Sequence, residues 1–222
     1  VGTTSITASQ LGDDNYEAAT DVTQDLVINK GSQTISFDAL IAKNYGDASF
    51  DLSATASSGL GVVYSSSNTS VATISGSTVS IVGIGTTTIT ASQSGNDNYA
   101  AASDVTQDLI INKTPQTISF GTISSKTYGD TSFDLTATAS SGLAVSYTSS
   151  NTSVATVSGS TVTIVGGGTT TITASQLEDA TYAAAPDVAR ELVVAQVSQT
   201  ISFGTLSSKT YGDTSFDLTA TA

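Results

Sequence analysis

Three features of the sequence predict an all-β protein of tandem, seven-stranded antiparallel β-sandwiches arranged end to end. They are a repeat of 83 residues, period-2 alternation of apolar and polar residues through each repeat, and turn residues at short intervals. Gln33-Thr34-Ile35-Ser36-Phe37 recurs at Gln116 to Phe120 and at Gln199 to Phe203. Ile6-Thr7-Ala8-Ser9-Gln10 recurs at Ile89 to Gln93 and at Ile172 to Gln176, each time 83 residues on. Residues 33–115 and 116–198 align without a gap and are identical at 54 of 83 positions, so the two stretches must fold alike. The expected organisation is the C-terminal part of a repeat over 1–32, complete repeats over 33–115 and 116–198, and the N-terminal part of another over 199–222. Neither terminal piece is a domain. With no initiator Met, the chain reads as an excerpt of a longer polypeptide whose signal peptide, anchor and tip lie elsewhere.

Within the second complete repeat, seven strands are expected near Gln116 to Phe120, Ser132 to Ala139, Ala144 to Ser149, Ser153 to Ser158, Thr161 to Val165, Thr169 to Ser175 and Val188 to Ala195. Phe133, Leu135, Ala137 and Ala139 alternate with Asp134, Thr136 and Thr138, which places one side on a core and the other in water. Ser140-Ser141-Gly142, Ser150-Asn151-Thr152, Ser158-Gly159-Ser160 and Gly166-Gly167-Gly168 are turn signals between strands, and a longer loop runs from Leu177 to Asp187. Helix is confined to one turn at most, at Tyr182-Ala183-Ala184-Ala185. Strands of this length and spacing predict a two-layer sandwich of immunoglobulin-like type without its cysteine pair.

Composition excludes several classes of function. The chain has neither Cys nor His, so disulfides, thiolate metal sites and the commonest general base are all missing. Nineteen acids against six bases give a net charge of -13, which repels nucleic acid and anionic membrane surfaces. No apolar run approaches the ~20 residues that span a bilayer, so no membrane insertion is expected in this segment. All fourteen aromatic residues fall on five repeat positions: Phe37/120/203, Tyr45/128/211, Phe50/133/216, Tyr64/147 and Tyr16/99/182. Rings spent wholly on the repeating pattern predict packing, because a binding tip carries aromatic anchors of its own. Tyr182 and its equivalents are placed to bond the backbone as a tyrosine corner.

Tyr147-Thr148-Ser149-Ser150-Asn151-Thr152-Ser153-Val154-Ala155-Thr156-Val157-Ser158, then Thr161-Val162-Thr163, then Gly168-Thr169-Thr170-Thr171-Ile172-Thr173-Ala174 resembles the second group of bacterial immunoglobulin-like domains. Lys126-Thr127-Tyr128-Gly129-Asp130 with Phe133-Asp134-Leu135 resembles the related Tyr-Gly-Asp repeats of giant bacterial surface proteins, common in Bacteroidota. One departure is Tyr147, where that family often carries Trp. The resemblance implies a spacer or stalk role in an adhesin or other secreted giant.

The acids are the only plausible metal ligands. Threading the strands puts the Tyr45-Gly46-Asp47 loop at the C-terminal pole of one repeat and the Glu178-Asp179 loop at the N-terminal pole of the next. Asp47, Glu178 and Asp179, with backbone carbonyls near Asn112, form a candidate inter-domain Ca²⁺ set. Against it, Glu178 is matched by Gly12 and Gly95, Asp179 by Asp13 and Asn96, and Gly-Asp is an ordinary turn former. Lys43, Lys126 and Lys209 recur as isopeptide candidates, but the partner Asn112 becomes Ala195. Thr169, Thr171 and Thr173 on one outward face could order ice or bind glycans, yet Thr is also what a twisted, uncharged, soluble sheet surface selects. Catalysis finds no support, since no His or Ser-X-X-Lys activates a serine and no Lys follows the triple glycine; no other cofactor is called for. The function expected is an extracellular or cell-surface stalk whose partners are neighbouring repeats of the same chain. The alternative is a filament or sheath subunit held to like chains by lateral contacts.

Overall fold

The computed structural model describes all 222 residues. They form two compact units, Val1–Thr114 and Pro115–Ala222. In the first, the hairpin β1 (Gly2–Ala8) and β2 (Val22–Ile28) precedes nine further strands. These are β3 (Ile35–Ser36), β4 (Lys43–Asn44), β5 (Phe50–Asp51), β6 (Thr55–Ala56), β7 (Val63–Ser66), β8 (Ala72–Ser75), β9 (Thr78–Ile81), β10 (Gly85–Ser92) and β11 (Val105–Asn112). One layer is a four-stranded sheet in the order β4-β11-β10-β7; the other is made of β5-β9-β8 with the pair β3-β6. The second unit repeats the design as β12 (Ile118–Ser119), β13 (Lys126–Thr127), β14 (Phe133–Asp134), β15 (Thr138–Ala139), β16 (Ser146–Ser149), β17 (Ala155–Ser158), β18 (Thr161–Ile164), β19 (Gly168–Ser175) and β20 (Val188–Ala195). It closes with the short pair β21 (Ser202–Phe203) and β22 (Ala220–Thr221).

The central hairpin of each sandwich carries the clearest amphipathic code. In β10, Thr87, Ile89 and Ala91 are buried; across the ladder Leu109 and Ile111 of β11 are buried beside them. Ile89, Ala91, Leu109 and Ile111 meet Phe37 and Leu52 from the opposite layer in one apolar cluster. The second unit builds the same cluster from Ile172, Ala174, Leu192 and Val194 against Phe120 and Leu135. The hairpin β1–β2 pairs in the same register, Ile6 opposite Gln24 as Ile89 is opposite Gln107. Its apolar side is nevertheless bare: Ile6 is 57% exposed where Ile89 is 0%, and Leu26 46% where Leu109 is 0%. The ladder is therefore a local property, whereas burial needs the facing layer.

Two details differ from the sequence-based expectation. The strand expected from Ser132 to Ala139 is two strands, β14 paired with β18 and β15 paired with β12. At this break the strand changes neighbour, and the residue at the switch, Ala137, loses its ladder partners. The Tyr147 hydroxyl replaces them, accepting from Ala137 N–H at 2.8 Å and donating to Ala137 C=O at 3.4 Å. Tyr64 treats Ala54 identically, at 2.7 and 3.4 Å. The ring below the hydroxyl packs tilted on Phe120, centroids 5.7 Å apart. The corner role expected at Tyr182 is thus performed by Tyr147, while Tyr182 closes its own turn through main-chain atoms. The departure from Trp at this position has a chemical reason, because an indole donates but does not accept.

The second difference is β13, which lies between the first two expected strands, where the sequence predicts none. After Phe120 the chain crosses from one layer to the other and runs beside the last strand in parallel, Lys126 opposite Val194 and Thr127 opposite Ala195. β4 and β11 do the same. The sheet is antiparallel elsewhere; here the N-terminal strand lies alongside the C-terminal one in the same direction.

Replacing Tyr147 by Phe keeps the ring and removes the hydroxyl, leaving a backbone N–H and C=O unpaired inside the sandwich. The expected cost is about 1–3 kcal/mol, read as a lower denaturant midpoint of the second unit with an unchanged slope; an unaltered midpoint contradicts the bridging role.

Candidate functional site

Four kinds of residue could carry function: the buried polar side chains, the pocket beneath each recurring lysine, the loop carboxylates and the outward threonines. Apart from Glu178, the residues weighed below recur from repeat to repeat in kind or in role.

Gln33 and Gln116 begin their repeats and are buried. Gln33 Nε2 donates to Gln93 Oε1 at 2.6 Å and to Ala100 C=O at 2.7 Å, and its Oε1 accepts from Ser58 Oγ at 2.5 Å. Gln116 makes the same three bonds with Gln176, Ala183 (2.7 Å) and Ser141. A second buried clasp centres on Thr170, whose Oγ1 is 2.8 Å from Ser149 Oγ and accepts from Asn151 N–H at 3.0 Å; Thr87 does this with Ser66 and Asn68. Every buried side-chain polar atom is satisfied, so these groups fix loops and strand ends and present no unspent donor to a ligand. Sequence reading missed the glutamine. A Gln heads the Thr-Ile-Ser-Phe strand in all three copies, a recurrence that carries no sign of burial.

A pocket of about 200 Å³ lies between the crossing segment and β14, lined by Phe120, Ile123, Lys126, Phe133 and Leu135. The first repeat has its counterpart at Phe37, Leu40, Lys43, Phe50 and Leu52. Lys126 Nζ stands 4.7 Å from the Phe133 ring centre and Lys43 Nζ 5.1 Å from that of Phe50, so the ammonium covers an aromatic face. The lysine side chain is thereby occupied in packing. Ligand clefts start near 300 Å³, and this hollow falls short of that volume.

The three candidate Ca²⁺ residues occupy turns. Asp47 Oδ2 accepts from Asn44 N–H at 2.8 Å and Asp47 N–H donates to Asn44 C=O at 3.0 Å; Gly46 between them has φ +92, which glycine adopts freely. Asp130 and Asp213 repeat the bond to Thr127 and Thr210. Asp179 Oδ1 accepts from Thr181 and Tyr182 N–H at 2.7 and 2.6 Å. Asn96 accepts from Asn98 and Tyr99 N–H at 2.9 Å each, so an uncharged amide closes the same turn. Glu178 stands where Gly95 has φ +78, a conformation in which a Cβ would lie 2.4 Å from Tyr99 C=O. No non-glycine residue has positive φ, so Glu178 takes a different backbone from its counterpart. No group of three or more acids gathers into a metal-holding cluster. Asp47 lies in the first unit, Glu178 and Asp179 in the second.

Outward threonines spend hydroxyls on neighbouring carboxylates. Thr88 donates to Asp108 at 2.8 Å, Thr78 to Asp51 and Thr161 to Asp134 at 2.6 Å. Thr169, Thr171 and Thr173 stand opposite Val193, Glu191 and Ala189 across the ladder. No helix is long and apolar enough to cross a membrane.

Against this geometry, comparison with known proteins is informative about one stretch. The family description "Intimin, immunoglobulin-like domain" matches residues 131–178, which run from β14 through β19. No curated protein matches the chain. Among solved structures, Drosophila N-cadherin EC1-4 is similar at 8% identity, covering 86% of this chain and 57% of its own, with a TM-score of 0.34. Surface layer protein SbsC, domains 1-6, is similar at 14% identity, covering 91% and 37%, also with a TM-score of 0.34. Domains 4 and 5 of the S-layer protein SbsC reach 23% identity over 61% of this chain and 77% of their own, with a TM-score of 0.29. The chain thus spans little more than half of the first and about a third of the second. No arrangement of modules is carried over from them.

Asp179→Asn should preserve the turn closed by Thr181 and Tyr182 N–H, read as retained amide protection at both residues, since Asn96 already closes that turn in the first repeat. Titrating Ca²⁺ into the chain should leave the melting temperature unmoved, whereas a chelator-reversible rise would restore Asp47, Glu178 and Asp179 as ligands. Gln116→Ala strands two acceptors and a hydroxyl, and should cost the second unit about 1–3 kcal/mol by chemical denaturation.

Proposed function

We propose that this chain is a run of structural modules from a very large bacterial protein of the extracellular surface, serving as a stalk that holds a distal binding module away from the cell. The modules are read as bacterial immunoglobulin-like domains of the second group with Tyr-Gly-Asp repeats, of Bacteroidota type. The likeness of residues 131–178 to an immunoglobulin-like domain of intimin supports this class.

The observation that carries the reading is the parallel patch. The chain enters a module just ahead of β3 and leaves it after β11, and β4, a short step from the entry, lies parallel to β11. Tension on the two ends therefore pulls β4 and β11 in opposite directions along their axes. The bonds between them, continued by Tyr45 N–H to Asn112 C=O at 2.9 Å, are strained together in shear and not peeled one by one. Tyr128 N–H to Ala195 C=O, also 2.9 Å, extends the patch in the second unit. A module pulled through its ends gains resistance from this arrangement.

Single-molecule stretching of the chain should show Tyr128→Pro, which deletes one N–H from the patch, lowering the unfolding force of the second module while the first is unaffected. Equilibrium stability should fall by only about 1 kcal/mol. Equal unfolding forces in variant and parent would remove the mechanical reading.

A further inference from the structure

Charge is unevenly distributed within each module. No Asp, Glu, Lys or Arg occurs between Leu52 and Asn96, or between Leu135 and Leu177, in a chain whose net charge is -13. These spans contain β6 to β10 and β15 to β19. In the sheet β4-β11-β10-β7, one edge carries Lys43 with Asp108 on the strand beside it, while β10 and the opposite edge β7 carry no charge. The other layer repeats the gradient, from Asp51 on β5 to an uncharged edge at β8. β7 and β8 follow one another and adjoin, so the two uncharged edges form one flank; β16 and β17 form its counterpart.

We infer that this flank is a docking surface for a second copy of the chain, met edge to edge. The inference goes beyond the stalk reading and does not depend on it. Open sheet edges are ordinarily guarded by Lys, by Pro, by a bulge or by an inward charge. Neither uncharged span contains a Lys or a Pro. The exposed side chains along the flank are Val63, Ser65, Thr73 and Ser75, with Ser146 and Thr148 among their counterparts. These are short, uncharged and β-favouring, and they are stripped of water at far lower cost than a carboxylate.

The partner is argued from charge. A second copy brings the same net negative surface, so contact through the β5 edge or the face of β11 brings Asp51 or Asp108 up against a surface of its own sign. The β7–β8 flank is the side on which that repulsion is smallest and on which both layers still have unpaired backbone groups. A self-complementary edge meeting its own copy is the commonest form of symmetric contact. Four-residue strands make each pairing weak, and a series of identical modules multiplies it.

Sedimentation of the 222-residue chain tests this, in a series rising to about 1 mM, the range of weak contacts, at low salt and at about 0.5 M salt to screen the repulsion. The expected result is reversible association that strengthens with salt. Two double variants locate it: Ser65→Lys with Thr148→Lys, and Ser65→Glu with Thr148→Glu. One lowers and the other raises the net negative charge, so only contact at the edge is weakened by both, by about tenfold or more, equivalent to one charge-blocked contact of ~1.4 kcal/mol, with the melting temperature unchanged. A chain that stays monomeric throughout the series overturns the proposal. So does association that survives both variants, or that disappears instead with Leu26→Lys, which would place the contact on the bare face of β1–β2.

Discussion

The bridge from the Tyr64 and Tyr147 hydroxyls to the backbone of Ala54 and Ala137 is the contact on which the sandwich turns. A strand that serves two neighbours in succession must abandon one ladder before it joins the next. The residue left between has a donor and an acceptor with no strand beside it, and burying them unpaired is costly. A phenol rooted in the opposite layer can satisfy both with one oxygen. Its ring meanwhile packs on Phe37 or Phe120. One residue thus settles the change of partner, ties the layers together and fills the gap between them.

The hairpin β1–β2 separates what the sequence does locally from what it does at a distance. It has the register of β10–β11 and of β19–β20, and even retains cross-strand pairs such as Ser5 to Asp25 and Thr7 to Thr23. What it lacks is cover. Phe203 and Leu218 tell the same story from the other side, 52% and 60% exposed where Phe120 and Leu135 are 6% and 7%. Hydrogen-bonded ladders follow from alternation and turn residues, but the apolar gain needs both layers present at once.

Much of the fold was legible because its signals are periodic. Thr170, Ile172 and Ala174 point inward as alternation requires, and the last two strands of the second repeat lie close to where turn residues bound them. The break between β14 and β15 was not legible, because apolar and polar residues keep alternating straight through it; the cause sits ten residues away at Tyr147. β13 was hidden by its length, since two residues carry no period. At the candidate sites, the turn roles of Asp47 and Asp179 were readable from Gly-Asp and from the Asn96 equivalence. The buried glutamine was not, because a polar side chain at a strand start looks solvated until Ser141, Gln176 and Ala183 converge on it.

The identical registers of three successive hairpins have a consequence for how such a polypeptide comes to be sorted. Strand β10 and strand β19 present the same eight residues, Gly-Thr-Thr-Thr-Ile-Thr-Ala-Ser, so each is a chemically adequate mate for the other's partner. No side chain of β10 or β19 labels either strand as belonging to its own module. Assignment falls to the tether: the loop joining β10 to β11 is far shorter than any path to the next copy, and closing it loses less chain entropy. Emergence from the ribosome one module at a time adds a second filter, because the rival strand has not yet been made when the first ladder zips.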